Sequence, residues 1–343
     1  MAKRRSKRSK KPATELSPEW RVWIAENLAL GRTVEQVDAA LAEQGVPARE
    51  RRRRVAEIAE SPALIEARRA HVEQQRISQI VRLLREQRRL SGVEVPRVSG
   101  LDADAFFSRY YATNTPVILT DYVTEWPAFE RWTPAHFGER YGELLVSVAE
   151  GRDSDPNYDQ NTDRLTVTMP MKELVARVQA AGESNDFYMV ARNRNLQEPH
   201  LAVLFDALKL DRGLLDREQI VGACQLWFGP KGTVTPLHHD TSNILFCQVY
   251  GEKRIRLASP LETDLLEGAR AMYSAVDPEA TGPDGGAASE VPFSDVTLAA
   301  GEALFIPVGW WHHVRALSVS ISVALNCFAR DNKRAWYCPG AIR

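Results

Sequence analysis

The chain has 343 residues, 44% of them hydrophobic and 26% charged, with a formal net charge of -1. That is enough apolar material for a full core, and the length suggests one large domain plus an appendage. No apolar run approaches the ~18 to 20 residues of a membrane span and no apolar stretch follows the basic N-terminus, which argues against a membrane segment or a secretory signal and for a cytoplasmic protein. The near-neutral total hides a division. Residues 1–95 hold 21 Lys and Arg against 13 Asp and Glu, about +8, and the remainder holds 23 against 32, about -9.

In chain order, residues 1–16 read as a basic disordered tail: AKRRSKRSKK carries seven basic residues and no large apolar one. Such a tail suits nucleic acid or an acidic protein surface, or only aids solubility. Residues 17–92 read as helical. Ser17-Pro18 opens a helix with Trp20, Trp23, Ile24 and Leu28 at helical spacing and Gly31 as its stop. Thr33 to Glu43 repeats the design with Gly45, Pro47 to about Glu60 carries Arg51 to Arg54, and Ser61-Pro62 opens a longer helix to about Leu90. Leu64, Ile77, Ile80, Val81 and Leu84 are its apolar positions. The pair joined at Gly45-Val46-Pro47 has the outline of a DNA-reading helix-turn-helix, but such pairs are common in bundles and an arginine run is usually a solvated face, so nucleic acid is not the favoured partner.

The helical pattern stops at Ser91 to Ser99, and a second domain is placed at 95–343. A short helix at Ala103 to Tyr111 and a strand at Pro116 to Thr120 open it. A helix to about Tyr141, strands at Leu144 to Ala149 and Arg164 to Met169, a helix at Met171 to Ala181 and a strand at Asp186 to Val190 follow. From Cys224 short strands dominate: Cys224 to Phe228, Val234 to His239, Ile244 to Val249, Lys253 to Ala258, Val296 to Leu298, Leu304 to Ile306, Val314 to Leu317 and Ile321 to Phe328. Eight short strands with glycine turns point to a mainly β, double-sheet jelly roll. The stretch from Pro260 to Pro292, with the Gly- and Ala-rich Ala280 to Ser289, reads as a long loop of the kind that forms lids. Cys224, Cys247, Cys327 and Cys338 lack paired spacing, which fits reduced, packed thiols.

Four of the seven histidines lie in two doublets. In Thr235-Pro236-Leu237-His238-His239-Asp240, strand alternation sends His238 and Asp240 to one face and His239 to the other. Two histidines and a carboxylate are the recurrent ligand set of a mononuclear iron that leaves positions open for an oxidant and a cosubstrate. The third ligand comes from Trp311-His312-His313, where alternation alone leaves His312 or His313.

Residues 235–257 (TPLHHDTSNILFCQVYGEKRIRL) and 301–328 (GEALFIPVGWWHHVRALSVSISVALNCF) resemble the two halves of the metal site in JmjC-type, cupin-like 2-oxoglutarate oxygenases. More loosely the likeness runs from Val95 to the C-terminus, and it is nearest the protein-hydroxylase branch that includes the asparaginyl hydroxylase of hypoxia-inducible factor. The resemblance implies a double-stranded β-helix core with bracing helices, and His238, Asp240 and His312 as ligands of Fe(II). It implies Lys253, Thr235 and Tyr188 on the distal carboxylate of 2-oxoglutarate, and Asn326 near its metal-bound end. Independently, an asparagine within the apolar run SVALNCF needs a hydrogen-bonding partner. Family members carry an asparagine four residues beyond the ligand aspartate, where this chain has Ile244; Asn243, one place earlier, is the candidate substitute. Phe328 stands where the asparaginyl hydroxylase has tryptophan, so substrate choice does not carry over.

The implied activity is hydroxylation of a C–H bond in a protein or peptide side chain with O2, 2-oxoglutarate leaving as succinate and CO2. An N-methyl demethylase or a hydroxylase of small molecules or tRNA would use the same site. A cupin-like regulator that binds metal without turnover is the rival of another class; Lys253 argues against it, since a scaffold needs no such lysine. The apolar stripe of residues 17–90 is expected to pack on the barrel or mediate a homodimer, and to help recruit a polypeptide.

Overall fold

The structure, a computed structural model, describes residues 16–92, 94–210, 212–266, 272–280 and 290–332. The expected basic tail up to residue 15, Cys338 and all of Ala280 to Ser289 but Ala280 itself lie outside them. The chain divides into two compact units, Met1–Gln87 and Arg88–Arg343. The division falls inside the fourth helix, a few residues before the Ser91 to Ser99 boundary read from composition.

In the first unit the helices α1 (Pro18–Ala29), α2 (Val34–Glu43) and α3 (Ala48–Ala59) precede α4 (Pro62–Ser91). Pro18 stands at the first turn of α1, where its missing N–H costs nothing. Thr33 and Gln36 form a reciprocal capping box on α2. Ile24, Leu28, Val37, Leu41, Val55 and Leu64 make the small core, with Trp20 and Trp23 packed edge to face at its margin. Of the apolar positions read along α4, Leu64 joins that core, whereas Ile77, Ile80 and Leu84 are exposed. Among the described residues no helix is long and apolar enough to cross a membrane.

The second unit carries β1 (Arg97–Val98), β2 (Val117–Leu119), β3 (Leu145–Glu150), β4 (Thr166–Pro170), β5 (Phe187–Tyr188), β6 (Cys224–Gly229) and β7 (Val234–His238). It continues with β8 (Ile244–Tyr250), β9 (Lys253–Ala258), β10 (Ser294–Leu298), β11 (Ala303–Ile306), β12 (Trp311–Ala316) and β13 (Ser320–Leu325). A six-stranded sheet in the order β1-β2-β11-β8-β13-β6 faces a four-stranded sheet in the order β10-β9-β12-β7, the double-sheet jelly roll that the spacing of short strands implied. A smaller sheet β4-β3-β5 and the helices Pro134–Tyr141 and Met171–Ala180 brace it.

Alternation along the strands separates two cores. On β8, Leu245, Cys247 and Val249 point to the bracing layer with Trp126, Trp132 and Phe137, and Phe246 points into the barrel with Ile255, Leu257, Leu304 and Ile306. Each such residue, fully buried, stabilises the fold by about 1.5 to 3 kcal/mol. Cys224, Cys247 and Cys327 are buried free thiols, as their scattered spacing suggested.

Several elements differ from the sequence reading. Thr162–Leu165 is helical before β4 begins at Thr166, because the Thr166 and Thr162 side chains bond back to carbonyls one turn earlier. Only Phe187–Tyr188 of the expected 186–190 strand pairs with β3, and Met189 instead bridges to Phe228. β12 starts at Trp311, three residues before the expected Val314, since Pro307 to Trp310 complete the turn. β13 ends at Leu325, so Asn326 and Phe328 lie past the sheet.

The chain crosses from β8 in one sheet to β9 in the other through a turn at Gly251, whose φ of 71° is a left-handed conformation and whose missing Cβ would stand 2.1 Å from the Val319 carbonyl oxygen. Gly251→Ala should destabilise the second unit by about 1 to 3 kcal/mol, read by urea titration, because both strain and a backbone clash oppose it.

Candidate metal centre and pocket

The centre is built by two strands distant in sequence. β12 pairs antiparallel with β7, with His312 directly opposite His238, so both imidazoles leave the same face of the sheet. β7 ends at His238, but the chain continues extended, turning His239 to the other side, where it packs against Trp311 at 4.6 Å between ring centroids. Asp240 returns to the His238 side, and the Gly309 N–H donates to its carbonyl across 3.0 Å. The ligand atoms of His238, Asp240 and His312 lie within 4.8 Å of one another. The Asp240 carboxylate is 3.4 Å from His312 Nε2 and 3.9 Å from His238 Nε2.

Hydrogen bonds fix which nitrogen faces the centre. His238 Nδ1 is 2.8 Å from the Pro236 carbonyl and His312 Nδ1 is 3.0 Å from the Trp310 carbonyl. A carbonyl only accepts, so each Nδ1 carries the proton and each Nε2 presents a lone pair. Burial, reinforced by His238 alongside, pulls the His312 imidazole down to about 4, so it is neutral at physiological pH. Two imidazoles and a carboxylate converging on one point are the donors that a divalent transition metal takes. His313 sits on the opposite face, beside Arg315 and Glu279 in a separate cavity. Alternation, with the register of β12, therefore separates His312 from His313 where sequence left both open.

A cavity of about 300 Å³ opens from the three ligands into the barrel. Lys253, Thr235 and Tyr188 all line it, as the resemblance implied. Lys253 shares the parity of Ile255 and Leu257 on β9, which aims it inward, and it is fully buried. Its Nζ donates to the Tyr188 hydroxyl at 2.9 Å, and among the described residues it forms no ion pair. Burial alone lowers its pKa to about 7. Tyr188 fits because residue 229 is glycine: a Cβ there would come within 2.6 Å of the tyrosine ring. A pocket with a buried lysine that forms no ion pair among the described residues at one end and a metal-type donor set at the other fits a small dicarboxylate that chelates a metal.

Two expected contacts are not brought to this cavity. Asn243 is buried but committed elsewhere: its Oδ1 accepts from the Val308 N–H at 2.9 Å and its Nδ2 donates to Asn332 Oδ1 at 2.7 Å. It ties the chain after Asp240 to the turn before β12, while Ile244 occupies the pocket wall. Asn326 lies beyond the end of β13 and lines a separate open groove of about 1030 Å³ with Thr241 and Ser242. Its backbone carbonyl, held by Asn332 Nδ2 at 2.6 Å, takes it out of strand alternation.

Motif reading missed several polar or aromatic residues that line the cavity, among them Asp159, Arg192, Gln225, Trp227 and Tyr273. Gln225 and Trp227 share one face of β6 by alternation, which a period-two reading of Cys224 to Phe228 could have supplied. Tyr273 had no signal. Its backbone bridges to His238, its ring lies 5.6 Å from the His238 ring, and its hydroxyl donates to Asp159 at 2.5 Å.

A family model described as a cupin-like domain matches residues 103–333. A protein of Arabidopsis thaliana named lysine-specific demethylase JMJ30 is 33% identical over 256 residues, 69% of this chain and 55% of the relative. Jumonji C domain-containing protein 5 of Drosophila melanogaster is 28% identical over 261 residues, covering 68% of this chain and 60% of its own. The human bifunctional peptidase and (3S)-lysyl hydroxylase JMJD7 is 26% identical over 256 residues, 64% of this chain and 78% of that one. The chain spans 55% and 60% of the first two of these proteins. With the jelly roll and the converging His-Asp-His set, these matches give the family: the chain belongs to the cupin-like domain family, among the JmjC-type proteins.

Proposed function

We propose that the protein is an Fe(II)- and 2-oxoglutarate-dependent oxygenase that hydroxylates a C–H bond of a protein side chain. The observation that carries this reading is one cavity with His238, Asp240 and His312 at one end and, at the other, a buried Lys253 that forms no ion pair among the described residues. His238, Asp240 and His312 would hold the iron, and Lys253, Tyr188 and Thr235 the distal carboxylate of the cosubstrate. Iron with 2-oxoglutarate and O2 supplies oxidation of C–H to C–OH, with succinate and CO2 formed. The chain's own part is to bind, orient and keep water out. Trp227, Ile244, Phe246, Ile306 and Val314 wall the cavity with apolar surface, which strengthens the Lys253–carboxylate attraction.

The relatives' names favour a basic side chain as substrate, and the Asp159 carboxylate in the cavity wall suits a cationic group. Demethylation is the second reading those names favour: hydroxylation at an N-methyl carbon collapses to the free amine and formaldehyde. The helical unit would serve to recruit the polypeptide or to pair two chains. Supplying the full chain with iron, 2-oxoglutarate and lysine- and arginine-containing peptides, methylated and unmethylated, tests this. Gain of one oxygen supports hydroxylation, loss of methylene demethylation, and no succinate at all refutes the oxygenase reading.

His238→Ala, Asp240→Ala and His312→Ala should each abolish iron-dependent succinate release, while His313→Gln, on the far face of β12, retains it. Turnover lost in His313→Gln and kept in His312→Ala would reverse the ligand assignment.

Lys253→Ala should raise the 2-oxoglutarate requirement by roughly 30-fold or more, the equivalent of about 2 kcal/mol or above for losing a buried charge partner. Since burial holds Lys253 at a pKa of about 7 and a carboxylate favours the ammonium, binding takes up a proton above that pH. Affinity then falls as pH rises through 7. Titration calorimetry at about pH 8 in two buffers of different ionisation enthalpy should show that uptake, and its disappearance below about pH 6.

A further inference from the structure

A second buried cation stands behind the carboxylate end of the pocket. Arg152 follows β3, is 1% exposed, and forms no ion pair among the described residues. Its backbone N–H donates to the Asp186 carbonyl at 3.0 Å and its Nη2 to the Val234 carbonyl at 2.6 Å, next to Thr235. Its Nε is buried without a hydrogen-bond partner. The guanidinium carbon lies 4.4 Å from the ring centre of Tyr158 and 5.1 Å from that of Tyr188. Tyr188 is the residue whose hydroxyl accepts from Lys253, and Lys253 Nζ is 5.5 Å from the same ring. One tyrosine thus carries two cations, and among the described residues no carboxylate forms an ion pair with either.

An uncompensated buried arginine costs several kcal/mol unless something balances it, and the two aromatic faces offset only part. We propose that Arg152 is a positioning residue of the carboxylate-binding end: its charge, acting through Tyr188, makes this end of the cavity select a ligand with a distal carboxylate. Burial pushes the Tyr188 hydroxyl up and Arg152 opposes that shift, which keeps the hydroxyl a stronger donor. Lys253 and Thr233 both hydrogen-bond the Tyr188 hydroxyl, which fixes its position at this end of the cavity.

The inference rests on the 2-oxoglutarate reading, and the experiment separates the two. The full chain, loaded with redox-silent Mn(II), is titrated with 2-oxoglutarate and with 2-oxopentanoate, which keeps the chelating end and lacks the distal carboxylate. Binding of neither by the wild type refutes the cosubstrate reading itself. Given wild-type binding, Arg152→Gln, which keeps a donor for the Val234 carbonyl, should weaken 2-oxoglutarate about tenfold and leave 2-oxopentanoate unchanged. Arg152→Lys should recover most of the loss, and in a Tyr188→Phe background the Arg152 effect should shrink. Lys253→Ala supplies a check without touching Arg152: it should still prefer 2-oxoglutarate severalfold, because one cation remains. Equal 2-oxoglutarate affinity in Arg152→Gln, parallel loss of both acids, or no residual preference in Lys253→Ala would each overturn the assignment.

Discussion

The antiparallel register between β7 and β12 is the constraint on which the site depends. It sets His312 opposite His238, and alternation then decides every other orientation: His313 away, His239 away against Trp311, Asp240 back toward the centre. A slip of one residue would exchange the two members of each doublet between faces. The register is held from both sides, because β12 also pairs with β9 over Trp311 to Ala316, and β9 is the strand that aims Lys253 inward. His238, His312 and Lys253 are therefore placed by one continuous ladder.

The polar groups of the cavity are arranged by what lies behind them. Hydrogen bonds to the Pro236 and Trp310 carbonyls choose the tautomers of His238 and His312. Gly229 leaves room for the Tyr188 ring, and Arg152 stacks on that ring from outside the cavity. Asn243, which a motif comparison would put in the pocket, instead joins the segment after Asp240 to the turn before β12 through Val308 and Asn332. Asn243 thus fastens the segment that carries Asp240, and Ile244 makes that wall of the cavity apolar.

What distinguishes this cavity is its unbalanced charge. Lys253 lines it and Arg152 lies behind it, both buried and, among the described residues, without an ion pair, while Arg192, Asp240 and Asp159 also line the cavity. Interiors rarely retain such separation without a ligand that completes it. A chelating dicarboxylate beside a divalent metal would complete it at the inner end. Tyr273 over His238, with its hydroxyl on Asp159, shapes the approach.

The sequence by itself determined the jelly roll, through the run of short alternating strands with glycine turns, and it determined His238 and Asp240 as a pair, through their spacing of two. The Thr33 capping box and Pro18 made the first helices legible for the same reason: their signals are local. It also marked Lys253, by motif. Only the tertiary structure decided where β12 begins and hence which histidine of the second doublet faces His238, because register is a property of two strands. Only it showed that Asn326 falls past the end of β13 and that Asn243 is spent on Val308. Arg152, Asp159 and Tyr273 could not be read from the chain at all: each reaches the site from a turn or loop whose placement depends on packing against distant strands, and no local periodicity encodes that.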